Sequence, residues 1–95
     1  MGKIYVGQYF KITLTAETDI TNWTNVKIRS KKPEGTIVEY STTTLDIATG
    51  KVQAKIQASD NTKAGEWINW IIGSTADSKP MIGEPHKFNV FIEGN

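Results

Sequence analysis

The chain has 95 residues, a formal net charge of +1, 38% hydrophobic and 22% charged residues, and no cysteine. This length fits one domain, residues 1–95, with a single core and a net stability of roughly 5–10 kcal/mol. One arginine, Arg29, and dispersed lysines leave no phosphate-tracking stripe, so nucleic acid is not the expected partner; disulfides and thiolate metal sites are excluded outright.

Alternation of apolar and polar residues with a period of two recurs along the chain, and no helical stripe competes with it. Lys3–Gly7 predicts a short first strand. Tyr9–Thr15 predicts a second, with Phe10, Ile12 and Leu14 on one face and Lys11, Thr13 and Thr15 on the other. Glu17–Asn22 is a polar loop. Thr24–Ser30 alternates again, with Val26 and Ile28 inward and Lys27 and Arg29 outward.

Lys32-Pro33-Glu34-Gly35 predicts a tight turn, because proline pre-sets φ and glycine accepts the positive φ at the return. Thr36–Tyr40 is the returning strand, and Ser41–Thr44 either extends it or frays from it. Thr49-Gly50 turns the chain into Lys51–Ala58, where Val52, Ala54 and Ile56 alternate with polar residues. After the polar loop Ser59–Gly65 comes Glu66–Gly73, the most apolar strand. Ser74–Pro85 is a long connection, and His86–Glu93 closes the chain with Phe88, Val90 and Ile92 on one face.

About seven short strands joined by turns predict an all-β fold, an antiparallel two-sheet β-sandwich of Ig-like architecture. The connections are too short for crossover helices, which excludes a βαβ fold. The first residues lack the apolar core of a signal peptide, and no segment reaches membrane-spanning length. Synthesis in a cytoplasm and no membrane partner are therefore expected.

Several stretches, taken in order, resemble one family. These are Lys3-Ile4-Tyr5-Val6-Gly7, Asp19-Ile20-Thr21-Asn22-Trp23-Thr24-Asn25-Val26-Lys27-Ile28, and Lys31-Lys32-Pro33-Glu34-Gly35-Thr36. Ala64-Gly65-Glu66-Trp67 and Gly83-Glu84, ahead of Phe88-Asn89-Val90, complete the set. The pattern is similar to that of small Ig-like structural proteins of bacteriophages. Two residues depart from it: Trp23 stands where a small residue is usual, and Asn69 where an apolar one is expected. The resemblance implies a non-enzymatic virion component of tail, baseplate or capsid surface, made in the host bacterial cytoplasm. It implies no catalytic residues and no cofactor.

The residues themselves offer no active site. The sole histidine, His86, has no partners at ligand or acid–base spacing, and no phosphate or dinucleotide fingerprint is present. No small-molecule substrate is expected. Asp19, Asp60 and Asp77 are loop acids that could be imagined around calcium, but isolated aspartates of this kind are turn formers.

The tryptophans carry more. Side chains alternate along a strand, so Trp67 and Trp70, an odd number apart, point to opposite sides. The apolar count favours Ile68, Trp70 and Ile72 inward. The family register favours Trp67 and Ile71 inward, which buries Asn69. Either choice leaves one sheet with an apolar outer face unless a bulge restores register or Ser74–Pro85 folds over it.

Trp67, Ile68, Trp70, Ile71 and Ile72 are accordingly the candidate contact residues for other virion proteins or for further copies of the chain. Free β edges, at Lys3–Gly7 or the final strand, are a second place for contact. Trp23 and Tyr40 form a candidate second aromatic site, either a plug for the open end of the sandwich or a stacking platform for a host-surface glycan.

Overall fold

The computed structural model describes residues 3–75, 77 and 79–92. Within them the chain is all-β. The strands are β1 (Ile4–Tyr5), β2 (Phe10–Thr15), β3 (Thr24–Lys31), β4 (Ile37–Asp46), β5 (Lys51–Ile56), β6 (Gly65–Ser74), β7 (Pro80–Ile82) and β8 (His86–Phe91). A single 3-10 turn, Ala58–Asp60, lies between β5 and β6.

Hydrogen bonding runs in the order β1-β8-β6-β3-β4-β5-β2, with β7 also on β6. Every pairing is antiparallel except β1 with β8. Of the two alternatives for Ser41–Thr44, the stretch extends β4, which runs on to Asp46. Its first half, Ile37–Ser41, pairs with β3, and Thr42, Thr43, Thr44 and Asp46 pair with β5. At the change of partner the Thr42 hydroxyl donates to the Val26 carbonyl at 2.7 Å.

The sheet curls until it is nearly a barrel, and side chains rather than backbone bonds join its far parts. Phe10 of β2 meets Trp67 of β6 and Phe88 of β8 edge-to-face at 5.7 and 5.5 Å. Trp67 and Phe88 stack at 5.7 Å. Rings in these arrangements gain from their quadrupoles beyond the area they bury. The core spreads from this cluster through Ile12, Leu14, Ile28, Val52, Ala54, Ile56, Ile71 and Val90.

The parity of β6 is thereby fixed: Trp67, Asn69 and Ile71 point inward. Asn69 is fully buried yet satisfied. The Ser30 hydroxyl donates to its Oδ1 at 2.5 Å, and its Nδ2 donates to the His86 carbonyl at 3.4 Å. An unpaired amide here would carry the full cost of its desolvation.

The predicted long connection Ser74–Pro85 contains an eighth strand instead. β7 lies along β6 with Ile82 opposite Ile72, while β8 resumes with His86 opposite Asn69. Gly83, Glu84 and Pro85 thus stand against Trp70 and Ile71, a β-bulge of one extra residue. The Gly83 N–H still donates to the Ile71 carbonyl, at 2.8 Å.

Trp67→Ala opens the aromatic seam and leaves a cavity, and should destabilise the chain by about 3–5 kcal/mol in urea unfolding. A loss under about 1 kcal/mol would contradict the role given to the seam.

Candidate interaction surface

With Trp67 and Ile71 inside, Ile68, Trp70 and Ile72 project from the outer face of β6, each half-buried by its neighbours. The register places Ile68 between Lys87 of β8 and Lys31 of β3, Trp70 beside Arg29, and Ile72 between Ile82 of β7 and Lys27. One strand further, Ile37, Glu39 and Ser41 of β4 stand beside Lys31, Arg29 and Lys27. Ile82, 70% exposed, extends the apolar row beyond Ile72, and Ile37, 54% exposed, lies across Lys31 from Ile68. An apolar row framed by charges is typical of an interface, and an indole is a frequent anchor there.

The charges on this face are uneven. Arg29 donates to Glu39 Oε2 through Nε at 3.2 Å and Nη2 at 2.5 Å, and Lys27 Nζ lies 3.9 Å from Oε1. The hydrogen bond from Arg29 holds the Glu39 carboxyl below the ordinary carboxylate range. These are the ion pairs found among the described residues, so Lys31 and Lys87 stand outside any of them.

The predicted contact set therefore divides. Ile68, Trp70 and Ile72 lie on the outer face, but Trp67 and Ile71 do not: both are core residues, 0% and 2% exposed, because Phe10 and Phe88 fix Trp67 inward. Of the two expected free edges, Lys3–Gly7 contains β1, which stands at one end of the strand order. Val90 and Phe91 of the last strand are covered by the parallel pairing of β1. The longer open edge is β2, whose pairing among the described residues is with β5 alone.

Trp23 and Tyr40 do not form a shared platform. Tyr40 is buried opposite Ile28 in the middle of the sheet. Trp23 is partly buried against the core, and its ring occupies the space above Gly73, where a Cβ would come within 3.0 Å. A bulge in β3 between Thr24 and Lys27, with Asn25 at φ 53°, precedes that approach. The plug role is the one this geometry suits.

Of the loop acids, Asp19 takes a local role. Asp19 accepts from the Thr21 N–H at 2.7 Å and from its hydroxyl, which lowers the Asp19 pKa. No group of three or more potential ligands is placed to hold a metal among the described residues. A shallow hollow beside β7 brings Glu17, Glu84 and His86 to one rim, all exposed.

At the end of the fold where β1 leads into β2, buried Asn61 donates to the Tyr5 and Gln8 carbonyls at 2.7 and 3.0 Å. Lys32 reaches over the Trp67 ring at 5.4 Å and donates to the Asp60 carbonyl at 2.7 Å. Sequence reasoning missed this joint, because its members are local turn residues until the fold brings them together.

Neither the protein-family models nor the curated proteins compared with the chain give a match.

Burial, with Asp60 nearby, pushes the Tyr40 phenol up from 10.0 to about 12, and its hydroxyl finds no hydrogen-bond partner. The unfolded chain releases this proton first, so Tyr40 withdraws stability as pH rises from about 10 towards about 12. Tyr40→Phe should unfold at an unchanged or higher urea concentration at neutral pH and lose less stability than wild type across that alkaline window. Parallel pH profiles of the two proteins would contradict the assignment.

Proposed function

We propose that this chain is a non-enzymatic structural protein of a bacteriophage or prophage particle. It would be a tail, baseplate or capsid-decorating component, made in the host cytoplasm and docking on other virion proteins. The observation that carries the assembly role is the inside–outside split of β6. With Trp67 committed to the core, Ile68, Trp70 and Ile72 form an outer row that Ile82 extends. The folded domain buries such a row only in part, whereas a docked neighbour would bury the rest.

An Ig-like two-sheet sandwich is supported by the division of pairings around β4. β3, β6, β8, β1 and β7 lie to one side, and β5 and β2 to the other. The phage origin rests on the resemblance in the sequence, and the motifs behind it serve architectural purposes in this fold. Lys32-Pro33 packs on Gly65 and Trp67, where a Cβ on Gly65 would meet Pro33 at 3.0 Å. Gly83 makes the bulge, and Ile20 of the Asp-Ile-Thr stretch is buried. A platform for glycan on Trp23 and Tyr40 loses its support from the burial of Tyr40.

Quantitative mass spectrometry of gradient-purified particles from the source phage tests the virion role. Abundance near that of the major capsid protein would indicate a head-decorating protein, and a small fraction of it a tail, neck or baseplate part. Absence from the particles would overturn the reading. Trp70→Lys should keep the β circular-dichroism spectrum, with stability changed by no more than about 1 kcal/mol, and should be lost from the particles. Retention at wild-type abundance would remove β6 from the contact.

A further inference from the structure

The outer face of β6 has an electrostatic character that specifies its occupant more closely than apolarity does. Its apolar row has a cation beside every member on the β3 side: Lys31 by Ile68, Arg29 by Trp70, Lys27 by Ile72. Lys87 adds a second cation to Ile68 from β8. Against these stand Glu39, already engaged by Arg29 and Lys27, and Glu66, one row beyond Ile68 beside Asn89. The chain as a whole is nearly balanced at +1, so the excess belongs to the face and not to the bulk composition.

Resting on the docking role just proposed, we infer that this face takes an acidic protein surface with an apolar centre. Its carboxylates would meet Lys31 and Lys87, and its apolar side chains would cover Ile68, Trp70 and Ile72. A second copy brought in face to face about a two-fold axis at Trp70 would set cation against cation, Lys31 against Lys87 with the axis along β6 and Lys31 against Lys27 with the axis across it, which like charges at short range oppose. Such repulsion makes the occupant a different protein. Nucleic acid fits less well, because a backbone-tracking site relies on successive stacking rings, and Trp70 is flanked along β6 by isoleucines.

The opposite side of the molecule supplies an internal control. Lys11 and Lys55 are cross-strand neighbours on the outer face of β2 and β5, both exposed, with Thr13 and Gln53 as the next pair. That surface is cationic but has no apolar row. Reversing two lysines there changes the net charge by the same amount as reversing Lys31 and Lys87.

The test uses the intact chain and a defined probe, a random copolymer of glutamate and tyrosine, followed by tryptophan fluorescence. Binding should weaken at least about tenfold in Lys31→Glu/Lys87→Glu and in Trp70→Lys. It should be unchanged in Lys11→Glu/Lys55→Glu and should fall as salt rises from about 50 mM to about 500 mM. Wild type should remain monomeric in sedimentation.

Four results would overturn the inference: no binding of the copolymer, equal loss in both charge-reversal pairs, tighter binding of oligothymidylate than of the copolymer, or a wild-type dimer that Trp70→Lys dissolves. Because this assay needs no phage particle, its failure is separate from absence of the chain in purified virions.

Discussion

The contact on which the rest of the fold depends is the cluster of Phe10, Trp67 and Phe88. β2 has no backbone pairing to β6 or β8, so the curled sheet is joined there through three rings. Committing Trp67 to that seam settles the parity of the whole of β6. Asn69 must then be accommodated inside, which Ser30 does, and Trp70 must stand outside. One inward ring therefore sets both the core and the surface proposed for docking.

The same ring ties the turn of the β3–β4 hairpin to the rest of the molecule. Lys32 lies over Trp67, Pro33 sits against Gly65 at the start of β6, and the Trp67 indole N–H donates to the Lys63 carbonyl at 3.4 Å. The Lys32 ammonium both faces the aromatic ring and donates to the Asp60 carbonyl. Nothing in this joint resembles reaction chemistry. It is a mechanical brace, set apart from the outer face of β6 that is proposed for docking.

Much of this architecture was legible from the residues, for local reasons. β2 and β5 alternate cleanly because each has one face in the core, and Pro33-Glu34-Gly35 encodes its own turn, with Gly35 at φ 94°. What could not be read was non-local. β6 is apolar on both faces, so its parity waited on Phe10 and Phe88, far away in sequence. β7 has three residues and owes its existence to pairing with β6, while the two residues of β1 cover Val90 and Phe91 of the last strand. The sequence leaves Ser41–Thr44 free to extend β4 or fray from it and Tyr40 free to plug or to stack; the strand runs on to Asp46 and the ring is buried.

The measurement that reaches the central claim most directly is fluorine NMR of the 5-fluorotryptophan-labelled chain with a soluble paramagnetic gadolinium chelate. Each resonance would be assigned by single tryptophan-to-phenylalanine replacement. The account predicts strong broadening of the Trp70 signal and none of the Trp67 signal. Broadening of Trp67 with protection of Trp70 would mean that β6 sits in the opposite register, and both the aromatic seam and the proposed docking face would have to be abandoned.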